Sequence, residues 1–176
     1  MKPPLKQGSP DDFQTPPEAL EPLYPFLKKE WVIWECACGQ GNLVKALEEK
    51  GYDVIGTDYI PAEWDFLLDK PVQWDCIITN PPFALKQSFL ERCYELGTPF
   101  ALLLPLTTFE TAKRQALFKK YGVEVIMFDK RINFEVPYQT TNSGSWFATA
   151  WFTWGLNIGK ELNFVEYDIK QKKMAL

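Results

Sequence analysis

Trp31-Val-Ile-Trp-Glu35-Cys-Ala-Cys-Gly39-Gln-Gly41-Asn42, continued to Asp53-Val-Ile-Gly-Thr-Asp58, is the stretch on which the fold turns. Trp31 to Ala37 reads as an apolar strand that runs into a Gly-x-Gly turn. Leu43, Ala46 and Leu47 then share one helical face while Glu48, Glu49 and Lys50 point outward, and Gly51 ends the helix. Asp53 to Thr57 is the next strand and Asp58 closes it. Strand, glycine turn, helix, strand and acid make one βαβ unit of a nucleotide-binding sheet. Gly39 and Gly41 let the backbone approach a ligand closely, and Asp58 can take both hydroxyls of a ribose. The third glycine of the dinucleotide pattern is missing, and Glu35 lies four residues before Gly39. That combination favours a ligand carrying an ammonium over one carrying a pyrophosphate, with a plain packing turn as the alternative.

Downstream, Cys76 to Ile78 is a short buried strand that ends in Asn80-Pro81-Pro82-Phe83. Two prolines cannot donate to a sheet ladder and hold φ near −65°, so the strand stops at Asn80. The result is a stiff turn presenting an amide, free carbonyls and an aromatic ring. Asn80 Oδ1 and a proline carbonyl could accept the two hydrogens of a planar NH2 group, with Phe83 on its face. Taken alone, the same turn is equally a strand stop with a core phenylalanine.

Around these two turns the chain alternates strands and helices. Residues 1–12, rich in proline, read as an extended arm, and Thr15 to Glu18 has the spacing of a capping box with Pro16 at the first helical position. Tyr59 to Pro71 reads as a loop with a short edge strand, where Asp65-Phe66 places a carboxylate near a strand end. Leu85, Phe89, Cys93 and Leu96 form a helical stripe, and Phe100 to Leu104 is a fully apolar strand. A second capping-box spacing, Thr107 to Glu110, opens a helix with Phe109, Ala112, Ala116 and Leu117 inward. Val123 to Phe128 and Trp146 to Trp154 are further strands, Leu162 to Ile169 an edge strand, and 170–176 a flexible tail. The long segment 129–145 carries Lys130, Arg131, Phe134, Tyr138 and Asn142, basic and aromatic residues interleaved in a way that suits nucleic acid, with a plain surface hairpin loop as the alternative.

A chain of 176 residues, 46% hydrophobic and 15% aromatic, is one globular domain of 1–176. Its net charge of −4 gives no general attraction to a polyanion, so any nucleic acid must be met by a local basic patch. No run reaches the roughly 20 apolar residues of a membrane span. Cys36, Cys38, Cys76 and Cys93 lack paired metal spacing, so the expectation is reduced thiols, no metal and a cytoplasmic protein. There is no histidine, which removes the commonest general base.

The ordered set of motifs resembles the S-adenosylmethionine-dependent N6-adenine DNA methyltransferases. The likeness rests on Glu35-Cys-Ala-Cys-Gly-Gln-Gly41, Asp58, Asp65, Asn80-Pro-Pro-Phe83 and the N-terminal Gln14-Thr15-Pro16. It implies a Rossmann-like α/β fold: a seven-stranded, mostly parallel sheet, helices on both faces, and Trp146–Trp154 inserted antiparallel beside Val123–Phe128. It implies S-adenosylmethionine as cofactor. Glu35, Cys36 and the backbone of Ala37, Cys38, Gly39, Gly41 and Asn42 would hold its methionine part, and Gln14, Thr15 and Pro16 would close over that end. Asp58 would take the ribose, Tyr59 or Ile60 would pack on the adenine, and Asp65 with Phe66 would take the adenine edge. Asn80 and Pro81, braced by Pro82, would receive the target amine of a flipped base. Phe83 would stack on one side of it and Phe134 or Tyr138 on the other, with Lys130, Arg131 and Asn142 toward the nucleic acid.

Sequence-specific members carry a target-recognition domain, for which this chain has no room. The compact form resembles orphan methyltransferases without a paired nuclease, such as those of phages. Recognition would then fall to Thr107–Arg114 and Asp129–Ser145, to a partner, or to a homodimer, and specificity would be low. Adenine in RNA, a protein glutamine, or a catalytically inactive binding subunit are the alternatives.

Overall fold

The computed structural model describes residues 13–59, 64–135 and 147–168. Seven strands among them form one sheet: β1 Val32–Glu35, β2 Asp53–Gly56, β3 Cys76–Thr79, β4 Phe100–Pro105, β5 Glu124–Phe128, β6 Thr149–Trp154 and β7 Leu162–Val165. Their order across the sheet is β2-β1-β3-β4-β6-β5-β7. All neighbours run parallel except β6, which lies antiparallel between β4 and β5. This is the seven-stranded, mostly parallel α/β architecture that the resemblance implied, with the late strand inserted as expected.

Alternation along the strands builds two cores. On one face Ile33, Ile78, Leu103, Ile126 and Trp151 meet helix α1, Asn42–Glu49, and the short 3₁₀ turn Pro17–Leu20. On the other, Trp34, Ile77, Leu102, Val125 and Phe152 meet α2, Lys86–Leu96, through Phe89, Leu90, Cys93 and Tyr94. Helix α3, Ala112–Tyr121, joins this second face through Leu117 and Phe118. β3 and β4 are buried at every position, as strands covered on both faces must be. Trp151 keeps its indole satisfied in the core by donating to the Ala19 carbonyl at 2.7 Å.

The structure corrects the sequence reading in three places. No strand lies in the described part of Tyr59–Pro71. Instead Asp65 opens a tight turn, its carboxylate accepting the Leu67 N–H at 2.9 Å and its carbonyl the Asp69 N–H at 2.7 Å. β2 is therefore an edge, and the seventh strand is β7 at the opposite edge, shorter than Leu162–Ile169. Thr15 is no cap: the turn that follows has no side-chain cap, and the Thr15 hydroxyl is buried without a partner among the described residues. The α3 cap is Thr111, whose hydroxyl accepts the Arg114 N–H at 3.4 Å, not Thr107. Consequently Ala112 and Ala116 face solvent, and the buried residue of the helix is Arg114, donating to the carbonyls of Thr108 (2.6 Å) and Thr107 (3.3 Å).

Candidate active site

The parallel pairing of β1 with β3 brings Glu35 and Asn80 to one edge, since both leave the sheet at its carboxyl end. After β1 the chain turns through Gly39 at φ 50° and Gly41 at φ 83°, left-handed conformations that glycine adopts without steric cost. Gly41 caps α1. The turn is locked from two sides. Cys38 N–H donates to the Thr57 carbonyl at 3.0 Å, and Gly39 N–H donates to Asp58 Oδ2 at 2.6 Å. Gln40 N–H donates to Gln14 Oε1 at 3.1 Å. A methyl group on Gly39 would lie 2.8 Å from Gln14 Nε2, so the Gln14 side chain rests directly on the turn. Asp58 and Gln14 thus stand at the glycine turn, and Asn42 begins the helix beyond it. Tyr59 follows, exposed.

Glu35 is buried to 1% exposure, and no cation pairs it among the described residues. Its carboxylate accepts the Ala37 N–H at 3.1 Å. Burial pushes its pKa up to about 8, against the opposing effects of the Thr79 hydroxyl and that N–H, with the Asp58 charge adding to the rise. A carboxylate held in this way is poised to gain from a positive ligand. The thiols are not: burial pushes Cys36 well above its ordinary value and Cys38 to about 11, so neither is a nucleophile at neutral pH. Among the described residues, no group of three or more His, Cys, Asp or Glu could hold a metal.

At Asn80 the amide is fixed by chemistry. Only Nδ2 can donate to a carbonyl, and it donates to that of Phe13 at 3.1 Å. Oδ1 is then left buried with no partner among the described residues. Pro81 is buried beneath it and Phe83 starts a short 3₁₀ turn into α2. Four rings stand together here, those of Phe13, Phe83, Phe134 and Phe147. Phe13 lies 5.7 Å from Phe83 and 5.5 Å from both Phe134 and Phe147. Phe83 is 6.3 Å from Phe134 and 5.4 Å from Phe147, and Phe134 and Phe147 are 6.0 Å apart. A buried acceptor without a donor, beside an aromatic wall, is a place for a planar group bearing N–H.

Phe13 and Phe147 are the members that sequence reasoning missed. Phe13 directly precedes Gln14-Thr15-Pro16, the one signal that could have found it. The N-terminal segment is stapled across the site by a two-way pairing of Gln14 with Glu135, at 2.8 and 2.9 Å, which sets Phe134 beside Phe13. Other expected residues make contacts of their own. Phe66 is buried in the core against Phe89 (4.6 Å) and Trp34 (5.2 Å), so its ring is not presented to a ligand. Asp65 holds its own turn. Lys130 is exposed and donates to the Tyr167 carbonyl at 3.2 Å; Arg131 is exposed beside it. Ile60, Tyr138 and Asn142 lie outside the described residues, as do 1–12, 136–146 and 169–176.

No family model and no curated protein matches the sequence. Solved structures do share the fold. One is assigned as the modification subunit of a type I restriction enzyme from Vibrio vulnificus, with a TM-score of 0.59 and 13% identity over 92% of this chain and 48% of that one. A type I restriction-modification methyltransferase subunit from Streptococcus thermophilus gives 0.61 and 16% over 88% and 47%. A protein from Thermoplasma acidophilum gives 0.52 and 15% over 77% and 84%. The chain spans about half the length of the first two.

Proposed function

We propose that this chain transfers a methyl group from S-adenosylmethionine to the exocyclic N6 of adenine in DNA, at short or loosely specified sites. The observation that carries the reading is the Asn80 amide, whose buried oxygen has no donor among the described residues while its nitrogen is committed to Phe13. The glycine turn and Glu35 support the cofactor. A buried, uncompensated carboxylate suits a ligand that carries ammonium and sulfonium charge, and Asp58 stands at the turn where a ribose would lie. When bound, S-adenosylmethionine supplies a methyl group on a positively charged sulfur.

What the chain itself does is orient. Asn80 Oδ1 accepts a hydrogen of the target amine and the Pro81 carbonyl accepts the other, so the nitrogen lone pair is directed outward from the turn. Phe83 and Phe134 hold the base plane, with Phe13 and Phe147 giving way or closing around it. Alignment of this kind, with water kept out by aromatic walls, supplies much of the rate of an in-line displacement. DNA is favoured over other amine substrates because two structures of this fold are assigned to restriction-modification systems. With an acidic net charge, contact with the phosphate backbone falls to local groups such as Lys130 and Arg131 or to a recognition partner.

The test is transfer of labelled methyl to DNA, RNA and protein, followed by nucleoside analysis. N6-methyladenine in DNA is the expected product. Label confined to RNA or protein overturns the DNA assignment, and failure of the folded chain to bind the cofactor makes it an inactive subunit. Phe134→Ala is expected to raise the KM for the nucleic acid about tenfold, the worth of one stacking face. Cofactor affinity, measured by calorimetry, should not change.

A further inference from the structure

The edge strand β7 presents open main-chain groups and exposed apolar side chains together. Among the described residues its outward main-chain groups have no strand beside them, and it carries neither proline nor an inward charge to discourage pairing. Leu162 and Phe164 are 49% and 78% exposed. They stand beside Val125 and Met127 of β5, on the sheet face that α2 and α3 cover further in. We propose that β7 pairs antiparallel with β7 of a second copy of this chain, joining two seven-stranded sheets across a two-fold axis at Asn163.

The register follows from the ladder already present. Val125 N–H donates to the Glu161 carbonyl at 2.7 Å and Asp129 N–H to the Val165 carbonyl at 3.0 Å. Main-chain groups alternate sides along a strand, so those of Leu162 and Phe164 face away from β5. An antiparallel ladder exchanges both hydrogen bonds between directly opposed residues, so outward residues must oppose outward residues. Three registers satisfy this, with Leu162, Asn163 or Phe164 on the axis. Placing Leu162 on the axis sets Lys160 against Phe164, and placing Phe164 there sets Glu166 against Leu162. Only Asn163 on the axis opposes Leu162 to Phe164 twice, and brings Lys160 at the start of one strand to Glu166 at the end of the other, also twice. Apolar meets apolar and cation meets anion in one arrangement, and its two halves are self-complementary as a two-fold contact demands. A second copy is thus the occupant whose charge pattern matches that of β7. Asn163 is already anchored within its own chain, donating to the Lys160 carbonyl at 2.8 Å, so the axis lies on a fixed residue.

Sedimentation equilibrium between about 1 and 200 µM covers the range of weak dimers. The chain is expected to approach twice its 20.4 kDa with rising concentration. Phe164→Asp, at an exposed position, should remain at the single-chain mass with an unchanged circular dichroism spectrum. Glu166→Lys should do the same by opposing two cations, and the pair Lys160→Glu with Glu166→Lys should restore the dimer. A single-chain mass for the unaltered protein throughout the range overturns the proposal. So does a dimer indifferent to Phe164→Asp, or a failure of the double exchange to restore what Glu166→Lys removed.

Discussion

Asn80→Ala is expected to lower kcat for methyl transfer by about 10²–10³-fold, the cost of deleting one preorganised polar group at a reacting centre. Cofactor affinity should stay within about threefold, under 1 kcal/mol. The split follows from the geometry. Asn80 presents a buried oxygen beside the aromatic cluster and spends its nitrogen on Phe13, while the glycine turn is held by Gln14, Thr57 and Asp58. The substitution also frees the Phe13 carbonyl, at a stability cost of about 1 kcal/mol, which a melting curve reads separately. Asn80→Asp is the sharper variant. It keeps an oxygen acceptor but replaces the donor to Phe13 with a second acceptor, so the side chain is pushed off its anchor. If Asn80→Ala transfers methyl groups at the unaltered rate, the catalytic assignment fails.

Glu35→Gln carries the other large effect, and it has two signs. In the folded chain without ligand the Glu35 carboxyl titrates near pH 8 because it is buried, against an ordinary value of 4.5. Between these two values the folded state holds a proton that the unfolded chain has released, so stability falls as pH rises through the window. It is fully present below about pH 4.5 and levels off above about pH 8, a loss on the order of 5 kcal/mol at 1.36 kcal/mol per pH unit. Glutamine keeps the shape without the titration. The variant should therefore melt well above the unaltered protein at pH 8 and close to it at pH 4.5. Its affinity for S-adenosylmethionine should fall by about 10²-fold, since the charge that opposes the ligand's cations is gone. Binding to the unaltered protein should strengthen as pH rises toward 8, with proton release measurable in buffers of different ionisation enthalpy. A flat pH profile of both stability and affinity would rule out this role for Glu35.

The centre of the fold was legible because it is written locally. The glycine turn between an apolar strand and an amphipathic helix, and the proline pair that ends β3, each need only a few consecutive residues to be understood. The edges were not. Trp64–Pro71 and Leu162–Val165 are both short and mixed in polarity, and only the outer sheet neighbour decides which becomes a strand. Thr15 has cap spacing, yet the pairing of Gln14 with Glu135 fixes the backbone there and leaves its hydroxyl elsewhere. Thr107 likewise yields its role to Thr111, four residues later. In the candidate site, Asn80, Phe83 and Phe134 were readable from motif and segment. Phe13 and Phe147 were not, because they reach the cluster from opposite ends of the chain. Phe66 follows Asp65 in sequence, and only the packing of Trp34 and Phe89 around it shows that its ring belongs to the core.

The antiparallel strand in the middle of the sheet also sets the order in which this molecule can be completed during synthesis. β4 is buried on both faces and along both edges, and the strand that covers one of those edges begins 44 residues after β4 ends, at Thr149. At ribosomal speeds of roughly 5–20 residues per second, an all-apolar edge waits several seconds for its partner. Until Trp154 has emerged, β1 to β4 form an open half-sheet, and β5 has nothing to pair with. The Asn80 turn belongs to that early half, whereas Phe134 and Phe147 belong to the late one, so the aromatic cluster closes only with the final stage of folding.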